Sequence, residues 1–78
     1  MSNWTEQHNY LEKTFTFKNF GEAMAWMVKA SYTIEKINHH PEWTNVYNRV
    51  TVRLTTHDAG NKVTELDHRL ATELDRLV

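Results

Sequence analysis

From position 50 the chain alternates Val50, Val52 and Leu54 with Thr51, Arg53 and Thr55. A period of two with the apolar residues on one side predicts a β-strand with one buried face. Trp4 to Phe17 reads as a hairpin. Tyr10, Phe15 and Phe17, with Thr14 and Thr16, favour a pleated strand, and Glu6 to Asn9 holds the expected turn. Trp43 to Tyr47 is a further candidate strand, with a tight turn expected at Asn48-Arg49 before the alternating segment.

Two segments switch to helical spacing. Asn19 to about Ile37 opens on a residue that can cap, with Glu22 three residues later in a capping-box arrangement. Phe20, Met24, Met27, Val28, Ser31 and Ile34 recur at helical intervals and predict the buried face. Pro41 disfavours a helical conformation at His40, so the helix should stop near Asn38. His57 to Asn61 is a loop by its turn chemistry. Thr64 with Asp67 gives a second capping-box signal, and Val63, Leu66, Leu70, Leu74 and Leu77 line the helix that follows. The order ββαββα predicts an α+β fold, a four-stranded antiparallel sheet with both helices on one face.

Length and composition narrow the possibilities. Seventy-eight residues predict one domain over 1–78. A chain this short buries only about 60% of its unfolded surface, so self-association is expected, most simply by pairing sheet edges. There is no cysteine, which removes disulfides and thiolate chemistry. The net charge is −1 and the nine basic residues are scattered, so no direct nucleic-acid partner is expected. No apolar run approaches a bilayer span, and the polar start MSNWTEQHN has no signal-peptide core, so no membrane partner and a cytoplasmic location are expected. Two glycines in the whole chain leave no dinucleotide or phosphate loop.

The chemistry concentrates in NHHPEW, Asn38 to Trp43, where two histidines precede the only proline. Three readings compete. His39, His40 and His57 could supply three imidazoles to zinc, but adjacent residues project differently and no HExxH or Cys pattern supports a metal. The histidines could simply occupy a helix terminus and a loop. Or they could form a proton-transfer pocket: both His segments follow a regular element, their ends can meet at one rim, and Trp43 and Tyr47 could wall it. Imidazole both takes and gives protons near neutral pH, which suits loss of water, tautomerisation or isomerisation.

Glu35-x-x-x-His39-His40-Pro41, followed by Tyr47, His57 and Asp67, resembles the pterin-4a-carbinolamine dehydratases, also known as dimerisation cofactors of a homeodomain transcription factor. The stretch EKINHHPEWTNVYNRVTVRLTTHDAG is similar to that family's signature almost throughout. The resemblance implies dehydration of 4a-hydroxytetrahydrobiopterin to quinonoid dihydrobiopterin in tetrahydrobiopterin recycling, with neither metal nor cofactor. It makes His39, His40 and His57 the catalytic and pterin-contacting imidazoles. His39 and His57 are expected to transfer protons and His40 to place the substrate. Glu35, one helical turn before His39, is expected to orient that ring. Asp67 could do the same for His57, or act only as a capping carboxylate. Pro41 fixes the corner, and Asn38, Trp43, Thr55, Thr56 and Asp58 match segments that line the pterin site. Trp43 fits a core or subunit-contact aromatic equally well, and Tyr47 fits packing better than catalysis.

Two departures accompany the resemblance. The helix that precedes the first strand in many members is expected to be absent or very short. The loop from His57 to Asp67 looks one residue longer than the commoner form. The resemblance also implies a homodimer or homotetramer, the latter through apolar helix faces. The alternative function is a non-catalytic pterin-binding or protein-interaction module, like a transcriptional coactivator.

Overall fold

Alternation and capping carry through into three dimensions. The computed structural model describes residues 3–78. Thr5–Glu6 (β1) and Leu11–Thr16 (β2) form the first hairpin, and Phe20–Ile37 is α1. Glu42–Val46 (β3) and Arg49–Leu54 (β4) form the second, a 3-10 turn covers His57–Ala59, and Glu65–Arg76 is α2. The strands are antiparallel in the order β1-β2-β4-β3.

The two hairpins join through β2 and β4, in a register that sets Leu11 opposite Leu54 and Phe15 opposite Val50. That pairing places their apolar residues on one face, where Val50, Val52 and Leu54 are completely buried. Burying such a side chain contributes about 1.5–3 kcal/mol. Ala23, Trp26, Ala30 and Ile34 of α1 and Leu70, Ala71 and Leu74 of α2 complete the same core, so both helices cover that face. Trp26 is its aromatic centre, 4.5 Å from Phe15, 5.4 Å from Phe17 and 6.1 Å from Trp43 between ring centroids. Asp75 of α2 fastens the first hairpin, accepting from Lys13 Nζ at 2.7 Å and Trp4 Nε1 at 3.1 Å.

Three expectations need correction. The face of α1 marked by Phe20, Met24 and Val28 is not the core face, since these side chains are 48%, 38% and 53% exposed. The helix carries two apolar stripes, and the one with small residues, Ala23 and Ala30, lies on the sheet because it permits closer approach. On α2, Leu66 is exposed, and the adjacent Asp67 is buried. The second hairpin turns at Tyr47-Asn48, one residue earlier than expected, with Val46 paired to Arg49 and Tyr47 at φ 51°. Asn48 is engaged with the strand exit instead: its side-chain amide donates to the Phe17 carbonyl at 2.8 Å, and its own carbonyl accepts from Phe17 N–H at 2.8 Å.

Candidate functional site

The site is built around the end of α1. Asn19 accepts from Glu22 N–H at 2.9 Å and starts the helix as the sequence predicts. At the other end Asn38 adopts the left-handed conformation, φ 60° and ψ 45°, and its N–H donates to the Ile34 carbonyl. His39 N–H reaches the same carbonyl at 3.4 Å. This Schellman-type wrap turns the chain sharply. The two histidines that follow then take opposite environments.

His39 turns inward. It is 9% exposed, and its Nε2 lies 2.6 Å from Asp67 Oδ1. Asp67 is completely buried at the start of α2, where the helix dipole favours a carboxylate. Its second oxygen accepts from the Thr56 hydroxyl at 2.8 Å and from Thr64 N–H at 2.8 Å. The Thr56 and Thr64 hydroxyls are themselves 2.6 Å apart. Asp67 has no proton to offer as a carboxylate, so His39 donates from Nε2. One buried acid therefore ties together the end of α1, the exit of β4 and the start of α2.

His40 turns outward. Its Nε2 lies 3.0 Å from Glu35 Oε2, with both side chains more than half exposed. Neither expected pairing forms. Glu35 holds His40 and not His39, while Asp67 holds His39 and not His57. The left-handed residue at Asn38 is the cause, because it interrupts the helical spacing that would have set Glu35 beneath His39.

His40 and Pro41 line a cleft of about 350 Å³ together with Asn9, Tyr10, Glu42, Arg53, Thr55, His57 and Asn61. The cleft forms where β4 leaves the sheet, and strand alternation places Tyr10, Glu42, Arg53 and Thr55 on the face away from the helices. The Thr55 hydroxyl donates to the Asn9 carbonyl at 2.7 Å and holds the first hairpin turn beside it. The Arg53 guanidinium carbon stands 4.6 Å from the Tyr10 ring centroid, and Arg53 Nε donates to Glu12 Oε2 at 2.7 Å. That hydrogen bond first, then the charge interaction with Tyr10, pushes the Arg53 pKa above its already high usual value. His57 Nδ1 lies 3.0 Å from Asn61 Oδ1.

Of the residues expected at the site, His40, Pro41, Thr55 and His57 therefore share one cleft, with Glu35 behind His40. His39, Thr56 and Asp67 form the buried network next to it. Asn38 and Asp58 are exposed and lie outside the cleft lining. Trp43 packs against Trp26 in the core cluster, and Tyr47 is exposed at the far hairpin turn. Asn9, Tyr10, Glu42, Arg53 and Asn61 were missed. The β2–β4 register could have revealed Tyr10, since continuing Leu11 opposite Leu54 sets Tyr10 against Thr55. Among the described residues no three His, Asp or Glu side chains are grouped to hold a metal ion. No helix there is long and apolar enough to cross a membrane.

Known proteins are similar to this chain in sequence and in fold. The family described as "Pterin 4 alpha carbinolamine dehydratase" matches residues 1–77. A protein of Opitutus terrae, provisionally named a pterin-4-alpha-carbinolamine dehydratase, is 52% identical over 99% of this chain and 79% of its own length. One of Rhizobium meliloti with the same provisional name is 49% identical over 97% of this chain and 74% of its own. A crystal structure of a transcriptional coactivator/pterin dehydratase from Brucella melitensis superposes with a TM-score of 0.88 at 41% identity, covering 95% of this chain and 80% of that one. A pterin dehydratase-like protein described as a RuBisCO assembly factor in the alpha-carboxysome shares the fold, with a TM-score of 0.77 at 18% identity. The chain belongs to the pterin-4a-carbinolamine dehydratase family.

Proposed function

We propose that this protein is a hydro-lyase that removes water from a pterin-4a-carbinolamine, with 4a-hydroxytetrahydrobiopterin giving quinonoid dihydrobiopterin as the reaction. The observation that carries the reading is the convergence of His40 and His57, from separate segments, on one cleft. Two imidazoles supply what the elimination needs. One protonates the C4a hydroxyl, the C4a–O bond breaks and water leaves. The other removes the N5 proton, and the freed electron pair forms the C4a–N5 double bond. Atoms and charge balance without a redox step.

The geometry favours His57 as base. Its Nδ1 is engaged by Asn61, which leaves Nε2 for the substrate. His40, backed by the Glu35 carboxylate, is the acid. His39 is reassigned from proton transfer to anchoring, because Asp67 occupies its Nε2 and the ring is buried. The Tyr10 ring, the Arg53 guanidinium and the backbone near Thr55 offer a planar heterocycle a stacking surface and hydrogen-bonding partners.

The test is turnover of freshly generated carbinolamine, followed by ultraviolet absorbance. His40→Ala and His57→Ala should each lower kcat about 100-fold or more, the usual scale for a general acid or base. Prior dialysis against a chelator should leave the rate unchanged. Wild-type protein no faster than buffer would sink the proposal.

A second reading draws support from the outer face of α1. Phe20, Met24 and Val28, with Tyr32 at 74% exposure, leave an apolar stripe open to solvent. This supports a protein-interaction role for the same domain. Binding of a helical partner that Met24→Glu abolishes, in protein without turnover, would favour it.

A further inference from the structure

We propose that Asn61 is a positioning residue that fixes the tautomer of His57, holding the proton on Nδ1 and leaving the lone pair of Nε2 for the cleft. The inference rests on the dehydratase reading for its chemical purpose, but the tautomer is a property of the free protein. An amide oxygen can only accept a hydrogen bond. With Asn61 Oδ1 at 3.0 Å, His57 Nδ1 must therefore carry the hydrogen when the ring is neutral. An unconstrained imidazole favours the opposite form, with the proton on Nε2. In that form the nitrogen available to the substrate could not accept a proton.

The surrounding loop is organised to hold this amide. Asn61 has φ 59°, in the left-handed region where only Gly, Asn and Asp are at ease. Its N–H donates to the Thr56 carbonyl at 3.1 Å, and Thr56 N–H donates to the Lys62 carbonyl at 2.9 Å. Thr56 is fastened in turn by its hydroxyl to buried Asp67. The position thus requires a left-handed backbone, and the ring requires an acceptor. Asparagine meets both requirements. Asn61 itself lines the cleft, so the orienting group and the oriented ring form part of the same wall.

Two substitutions separate the acceptor from the backbone. Asn61→Gly keeps the left-handed conformation without strain and removes the side chain. Asn61→Asp keeps an acceptor. The readout is long-range ¹⁵N–¹H correlation of the His57 ring in the intact protein, at a pH where that ring is neutral. Wild type should show the Nδ1–H form predominating. Asn61→Gly should shift the tautomer ratio about two- to tenfold toward Nε2–H, the scale of one neutral hydrogen bond. Asn61→Asp should retain the wild-type form. In parallel, kcat for the carbinolamine should fall by a similar factor in Asn61→Gly with KM little changed, and recover in Asn61→Asp. A wild-type ring already protonated on Nε2 would overturn the proposal, as would an unchanged ratio in Asn61→Gly. So would a shifted ratio with undiminished kcat. If wild-type protein fails to turn over, the dehydratase reading falls, and the tautomer ratios alone uphold or overturn the role of Asn61.

Discussion

Asp67→Ala is the most demanding test of the buried network. The substitution removes one carboxylate and leaves two donors without a partner, His39 Nε2–H and Thr64 N–H, while the Thr56 hydroxyl keeps Thr64 Oγ1 at 2.6 Å. Leaving a buried donor unsatisfied costs about 1–3 kcal/mol, so the two together cost about 2–6 kcal/mol. For 78 residues, total stability is about 4–12 kcal/mol at the usual value per residue. Asp67→Ala should therefore take at least about a sixth of the stability, and could take all of it. Asp67→Asn is the milder probe. Its carbonyl oxygen can still serve Thr56 and Thr64, while its amide group meets His39, which must change tautomer to accept. The expected cost is about 1.5–3 kcal/mol, that of one hydrogen bond to a charged group. Urea unfolding followed by tryptophan fluorescence gives both values, and an unchanged m-value would show that the unfolding reaction is the same. A double-mutant cycle between His39→Ala and Asp67→Asn isolates the pair and should return a coupling of about 1.5–3 kcal/mol. A loss below about 1 kcal/mol in Asp67→Ala would refute the reasoning, as would additivity within about 0.5 kcal/mol across the cycle.

Glu35→Gln should change stability by less than about 1 kcal/mol, because its pair with His40 is exposed and screened; a larger loss in the urea midpoint would show that Glu35 acts elsewhere. Trp43→Ala should cost about 3 kcal/mol in unfolding through lost core contact with Trp26, and pterin affinity measured by fluorescence titration should hold as long as the protein is folded. A selective loss of affinity would return Trp43 to the cleft. If the open α1 stripe seats a second copy in place of another partner, sedimentation should show an oligomer that Met24→Glu and Val28→Glu reduce in mass. A wild-type monomer at the concentrations used for turnover would remove that role from the stripe.

The sequence by itself determined what depends on neighbours along the chain. The alternation of Val50, Val52 and Leu54 is enough to specify a strand and its buried face, because side chains point to opposite sides at every residue. Asn19 and the Thr64–Asp67 pair mark helix starts, because capping is satisfied within one turn. The residues that carry the family resemblance are likewise present in the linear order. Tertiary structure decided what those residues face. Periodicity shows that α1 has apolar stripes but not which one meets the sheet, and the choice fell to the stripe with Ala23 and Ala30 because backbone approach is limited by side-chain size. Adjacency could not tell His39 from His40. A single left-handed residue at Asn38 sends one ring to Asp67, 28 positions away, and turns the other to the cleft. Tyr10 and Asn9 reach that cleft only through the β2–β4 register, a pairing over more than forty positions that no local pattern encodes. Asn61 needed both levels, since its turn chemistry was legible in the loop but its partner ring was identified only once the loop had closed on Thr56.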